Sequence, residues 1–182
     1  MGVAFRIVNV VATAVLDRGM DLEAIHARFP HEVVHDQEIY GGRVAYFKSK
    51  NMDGKVTIFP SCKMISVGTK SVEKAIQELS FVANALNASL KTEPKIQNIV
   101  TTANLGFGVD LNRIGTLKRA KAIYEPELFP GAIIHLPLHE KDVVATFLLF
   151  ASGKLVCVGL RDPSNVQLAI AQLLTVISVN SD

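Results

Sequence analysis

Apolar residues follow two alternating rhythms along this chain. Residues 3–15 run Val-Ala-Phe-Arg-Ile-Val-Asn-Val-Val-Ala-Thr-Ala-Val, rich in β-branched side chains, and predict a strand. In an extended chain Val8, Val10 and Ala12 share one face, while Asn9, Val11 and Thr13 share the other. Asp21 then precedes Leu22, Ile25 and the Phe29-Pro30 stop, which predicts a short helix capped by Asp21. Short strands and turns follow. Over residues 71–88 the period lengthens, and Val72, Ala75, Ile76, Leu79, Val82 and Leu86 line one side of a longer helix.

The whole order then recurs. A second strand is predicted over 95–104, a second short helix near Asp110, Leu111 and Ile114, and a second long helix over 162–178, with Pro163 suited to its first turn. Residues 6–14, Arg-Ile-Val-Asn-Val-Val-Ala-Thr-Ala, are answered 89 positions later by Lys-Ile-Gln-Asn-Ile-Val-Thr-Thr-Ala at 95–103. The pairs Leu16/Leu105, Asp21/Asp110, Leu22/Leu111, Ile25/Ile114 and Tyr40/Phe129 keep that offset. From Phe59/Phe150 onward the offset is 91, kept by Ser61/Ser152, Lys63/Lys154, Val67/Val158 and Gly68/Gly159, so the second copy reads as two residues longer. The expectation is an α+β protein of two repeats, residues 1–90 and 91–182, joined at Lys91-Thr92-Glu93-Pro94. Two copies of one supersecondary unit imply a pseudo-twofold axis. A pseudo-symmetric protein suits a nearly symmetric partner, and duplex DNA is the leading candidate.

The long helices must bury their apolar stripes on one sheet face. The other face would then carry Asn9, Val11 and Thr13 with Asn98, Val100 and Thr102. It would also carry Thr57 and Phe59, Ile65 and Val67, Leu148 and Phe150, and Val156 and Val158. An open apolar face of this breadth is a binding surface, whereas a covered one is merely a second core. The placing of one Asn per copy favours the first. Minor-groove edges offer mainly acceptors, which an Asn amide serves among apolar neighbours. Phe59, Phe129, Phe150 and Tyr40, near strand ends or loops, would act as wedges between base steps.

Composition permits this picture without demanding it. The chain has 182 residues, 49% hydrophobic and 20% charged, enough for a substantial core. Net charge is +2, so any positive field comes from arrangement rather than total. No apolar run approaches the roughly 18 residues of a membrane span, and the first residues lack the pattern of a secretory leader. Gly2 is not followed by Ser or Thr at position 6, which argues against myristoylation. The expectation is a soluble intracellular protein. Two unclustered cysteines, Cys62 and Cys157, provide neither a disulfide framework nor a zinc site.

Other signals are weaker. His31/His35 and His135/His139 both fit H-x3-H, but the segments read as extended, and residues four apart in a strand lie roughly 13 Å apart, too far to share one ion. Ser152-Gly153-Lys154 matches only the end of a phosphate-binding loop, and Gly106-Phe107-Gly108 lacks a third glycine. Lys118-Arg119-Ala120-Lys121 is a basic cluster that reads first as a solvated face, with a DNA or partner role as the alternative. No nucleophile–base pair or carboxylate dyad emerges, so no catalytic residue, metal or cofactor is expected.

With these residues in view, the chain resembles the TATA-box-binding protein family over nearly its whole length. The second copy carries the more specific match: Ile96-Gln97-Asn98-Ile99-Val100, Tyr124-Glu125-Pro126-Glu127-Leu128-Phe129-Pro130-Gly131, and residues 150–159, Phe-Ala-Ser-Gly-Lys-Leu-Val-Cys-Val-Gly. The resemblance implies a curved antiparallel sheet shaped as a saddle, with helices on the convex side. It also implies minor-groove binding with a severe bend, for which this family is itself a standard illustration. It assigns wedges to Phe59, Phe129 and Phe150, with Tyr40 at the fourth wedge position and Pro130 beside it. Asn9 and Asn98 match the central asparagines, with Val11 and Val100 as adjoining apolar contacts. Lys63, Lys70 and Lys154 match phosphate-reaching positions, and Arg161 stands where the family usually has Lys. Glu125, Glu127 and Leu128 match the surface that docks transcription factor B, through which RNA polymerase is recruited.

The chain departs from the family at several places. Tyr40-Gly41-Gly42 replaces the first-stirrup Phe motif, Cys62 replaces a turn glycine, and Val67 and Val158 replace threonines that would reach a central base. Arg43 lies near the place of the missing first-stirrup arginine, with His135 as its expected counterpart. The short start before the first strand looks archaeal, which implies the cytoplasm; a eukaryotic source would imply the nucleus. Two alternatives remain open at this point. One is a diverged paralogue that works mainly through protein partners. The other is an enzyme or small-ligand protein using the sheet as a pocket floor, disfavoured by the lack of convergent ionisable groups. An open apolar face also leaves self-association available when DNA is absent.

Overall fold

Strands of alternating burial and three amphipathic helices build two compact units, Asn9–Gln97 and Met1–Val8 with Asn98–Asp182. A computed structural model describes residues 3–116, 120–138 and 143–179. Lys118, Arg119 and His139 therefore lie outside the described residues, as does Gly2.

The first unit contains most of β1 (Phe5–Val15), then α1 (Leu22–Arg28), β2 (Val33–Val34), β3 (Ala45–Phe47), β4 (Lys55–Ile58), β5 (Lys63–Thr69) and α2 (Val72–Ala85). Its strands are antiparallel in the order β2-β3-β4-β5-β1. Asp21 caps α1 as the sequence predicts: its carboxylate accepts from the Glu23 and Ala24 N–H groups at 3.0 and 3.1 Å. Ser71 caps α2 by accepting from the Lys74 N–H. Helix α2 packs on β4 and β5 and buries Ala75, Leu79, Val82 and Ala83. The strands meet it with Val10, Ala12, Val56, Ile58 and Met64, all fully buried.

The second unit contains most of β6 (Lys95–Asn104), then β7 (Lys121–Ile123), β8 (Gly131–Pro137), β9 (Val144–Phe150), β10 (Lys154–Leu160) and α3 (Pro163–Val179). Its antiparallel order is β6-β10-β9-β8-β7. Val166, Ala169, Ile170 and Leu173 of α3 share a core with Ile134, Phe147, Leu149 and Leu155. Cys157 is part of that core. Burial pushes its thiol up to about 12, with the Thr101 hydroxyl pulling the other way, so it stays protonated.

The α+β organisation follows the sequence expectation, with two differences. The second short helix is a 3-10 segment, Leu111–Thr116, rather than an α-helix. Gly115 weakens α-helix propagation there, and Asp110 spends its carboxylate on Asn112, accepting from both its N–H and its side-chain amide.

The ladders also revise the alignment of the two copies. Ile58 pairs with Met64, as Leu149 pairs with Leu155, which confirms the offset of 91 for this hairpin. But Ala45 pairs with Ile58, as Ala132 pairs with Leu149. Ala45 therefore answers Ala132, an offset of 87. The first copy is two residues longer before this strand, and the second copy is four residues longer in the hairpin after it. By this register His135 answers Lys48, not Arg43. The Lys48 ammonium is taken up by the carbonyls of Met52, Asp53 and Gly54, at 2.6, 2.8 and 2.7 Å.

Candidate nucleic-acid interface

Strand parity divides the strands of each unit as the sequence predicts. In β1 the alternation ends with Val10, Ala12 and Ala14 buried, and with Asn9, Val11 and Thr13 half-buried. Because α2 covers the first set, the second set faces a side that α2 leaves open. Thr57, Phe59, Ile65 and Val67 share this half-buried status in the first unit. In the second unit Asn98, Val100, Thr102, Leu148, Phe150, Val156 and Val158 do the same. Lys63 and Lys70 flank β5, Lys154 and Arg161 flank β10, and all four are exposed.

The two asparagines are set by the same device. Between Val10 and Ala12 the β1–β5 register shifts by one residue. The extra residue is accommodated at Val67-Gly68, where Gly68 has φ +97°, a conformation that disfavours any side chain. The bulge frees the Gly68 N–H from the ladder, and it donates to Asn9 Oδ1 at 2.7 Å. In the second unit the register shifts between Cys157 and Leu160, Gly159 has φ +90°, and its N–H donates to Asn98 Oδ1 at 2.8 Å.

A backbone N–H is donor only, so each amide must present its oxygen to the glycine and its NH2 outward. Neither NH2 has a protein acceptor among the described residues. The result, in each unit, is an outward hydrogen-bond donor on a largely apolar strand face that also carries a few threonines. Gly68 and Gly159 position the two amides, and the sequence marked them only as repeat landmarks. Their shared place after Val67 and Val158 was the available signal.

At the strand ends the units diverge. Phe129 and Phe150 form an edge-to-face pair, centroids 5.8 Å apart. Gly131 makes this pair possible. It faces Phe150 across the ladder, and a Cβ there would lie 2.8 Å from Phe129 Cε1 and 3.1 Å from Phe150 Cε1. In the first unit the Ala45–Ile58 pairing puts Val44 in the place of Gly131 and Gly42 in the place of Phe129. Tyr40, aligned with Phe129 by sequence, sits two residues earlier. It lies in a left-handed run with Gly41 and Gly42, at φ 51°, 61° and 67°, and is 72% exposed. No ring contact joins Tyr40 to Phe59 among the described residues. Both residues line a cleft of about 910 Å³ with Arg43, Val44, Tyr46 and Thr57. Lys55 lies over the Tyr46 ring, 4.4 Å from its centroid. A cleft of about 650 Å³ beside Phe150 is lined by Arg6 and Lys154, and the sequence did not single out Arg6.

The turn before Phe129 presents Glu125, Pro126, Glu127 and Pro130 exposed, with Leu128 81% exposed between them. The N–H groups of Leu128 and Phe129 both donate to the Glu125 carbonyl, each at 3.0 Å. Histidines are used locally: His35 Nδ1 lies 3.0 Å from the Val44 carbonyl, and His135 Nδ1 lies 3.0 Å from Thr146 Oγ1.

These features define a class: a duplicated sheet-and-helix protein whose helix-free strand faces each carry one oriented amide. The family model described as "Transcription factor TFIID (or TATA-binding protein, TBP)" matches residues 4–88 and again 93–179. A TATA-box-binding protein of Cenarchaeum symbiosum is 36% identical over 176 residues, covering 93% of this chain and 92% of the relative. That of Methanothermobacter thermautotrophicus is 32% identical over 173 residues, covering 92% and 91%. The solved structure of Methanococcus jannaschii TBP matches with a TM-score of 0.77 at 28% identity, over 96% of this chain and 98% of that one. The chain belongs to the TATA-binding-protein family of non-enzymatic transcription-initiation factors. Among the described residues, no helix is long and apolar enough to cross a membrane.

Proposed function

We propose that this protein binds A·T-rich promoter DNA through the minor groove, bends it, and recruits transcription factor B and through it RNA polymerase. The repeats, residues 1–90 and 91–182, each supply one half of the contact. The observation that carries this reading is the pair of amides fixed by Gly68 and Gly159. Each offers a donor where the minor groove of A·T pairs offers acceptors, adenine N3 and thymine O2. A G·C pair puts an amino donor in the same place, which opposes the amide and crowds Val11, Val67, Val100 and Val158. Lys63, Lys70, Lys154 and Arg161 supply phosphate contacts that hold register without reading sequence.

The test is binding to TATA-containing and G·C-rich duplexes at several salt concentrations. A clear preference for the first at every salt is expected, and comparable affinities would sink specific recognition. Asn98→Ala should weaken A·T-rich binding by about tenfold or more, the worth of one lost hydrogen bond in a desolvated site. Its nonspecific binding should be nearly unchanged. A second reading, a paralogue led by protein partners, is favoured by the exposure of Leu128 between two carboxylates. Loss of all DNA binding with transcription factor B binding retained would select it.

A further inference from the structure

We infer that, if the minor-groove reading holds, the two ends of the interface deform DNA unequally: Phe129 and Phe150 act as a paired wedge, and Phe59 acts alone. The argument is steric. Gly131 gives the aromatic pair its room, because a Cβ at that position would press on the Phe129 ring at 2.8 Å and crowd Phe150 at 3.1 Å. In the first unit, continuing the register one residue beyond the Ala45–Ile58 pair puts Val44 at that position, and it lines one cleft with Phe59. Val44 is buried and lines the cleft next to Phe59, so a second ring cannot settle there as Phe129 does over Gly131. The two residues added to the first stirrup carry Tyr40 further from the ladder. Its left-handed backbone turns it into solvent. A pair of packed rings resists being pushed aside by stacked bases, and a lone ring has one neighbour fewer to brace it. Cations line the clefts at both ends, Arg6 and Lys154 beside Phe150 and Arg43 beside Phe59. Arg43 is exposed on its cleft, and Lys55 lies over Tyr46.

The experiment is end-to-end fluorescence energy transfer on a TATA-containing duplex, titrated with the wild-type chain and with Phe129→Ala, Phe150→Ala, Phe59→Ala and Tyr40→Ala. Wild type should bend the duplex. Phe129→Ala and Phe150→Ala should each remove about half or more of the transfer change, as loss of one full wedge requires. Phe59→Ala should remove distinctly less, and Tyr40→Ala should leave the signal unchanged. Gly131→Val, which copies the first unit into the second, should behave as Phe129→Ala does. Tyr40 is exposed enough that its substitution leaves the fold intact, so that arm stands even if a phenylalanine variant misfolds. A loss with Tyr40→Ala equal to that with Phe150→Ala overturns the inference while leaving the minor-groove reading in place. A wild-type chain that binds no A·T-rich duplex, or binds without bending, overturns both.

Discussion

The hairpin after β4 and the hairpin after β9 make the same turn with different residues. In the second, Gly153 takes φ +80° and its carbonyl accepts from the Leu105 N–H at 2.9 Å. In the first, Cys62 takes φ +69° and its carbonyl accepts from the Leu16 N–H at 2.8 Å. The left-handed conformation therefore belongs to the position rather than to glycine. Flanking strands and a matching hydrogen bond from the preceding loop impose it on an L-residue that resists it by about 1–2 kcal/mol. Glycine at 153 has a second reason. A Cβ there would run into the Phe107 carbonyl oxygen, and Cys62 meets no such obstacle.

The largest effect that would sharpen this comparison is Gly153→Cys. It should destabilise the chain by about 3 kcal/mol or more, since strain and backbone collision add. Urea denaturation would read this, and a loss under about 1 kcal/mol would mean the loop at Phe107 yields freely.

A medium effect concerns the neighbouring turn. Glu78 of α2 is buried, and its Oε1 accepts from the N–H groups of Asp53 and Gly54 at 2.7 and 3.0 Å. Its place in α3 is taken by Ala169, fully buried against the second core. Glu78→Ala should cost about 2 kcal/mol by leaving two N–H groups without an acceptor, and Glu78→Gln should cost distinctly less because one oxygen remains. Equal losses for both variants would show that the charge matters rather than the acceptor.

The smallest effect is Cys62→Gly. Relief of backbone strain should slightly exceed the added freedom of the unfolded chain, for a gain of about 0.5 kcal/mol. Calorimetry should show a small rise in Tm, and a fall would mean that the Cys62 side chain contributes packing.

The sequence made some of the interface legible directly. Alternation in residues 5–15 assigned Asn9 and Val11 to the open face, because strand geometry leaves no other parity. Asp21 caps α1 because a carboxylate before an apolar period meets the first free N–H groups. Other features were hidden. The mismatch of Tyr40 with Phe129 was masked because two residues added before β3 and four added after β8 leave a net offset that looks like a single small insertion. Only the ladder, which counts pairs across strands, separates the two.

What the sequence determined by itself was therefore the repeat, the faces and the residue types available on them, all consequences of local periodicity. What the tertiary structure decided was orientation and neighbourhood. The asparagine NH2 groups point outward because bulge glycines some 60 positions away hold their oxygens. Phe129 packs on Phe150 where a glycine faces that ring across the ladder, while Tyr40 stays exposed beyond the end of the shorter β3–β4 ladder. Such contacts depend on which residues meet across a ladder, and no local rhythm encodes that.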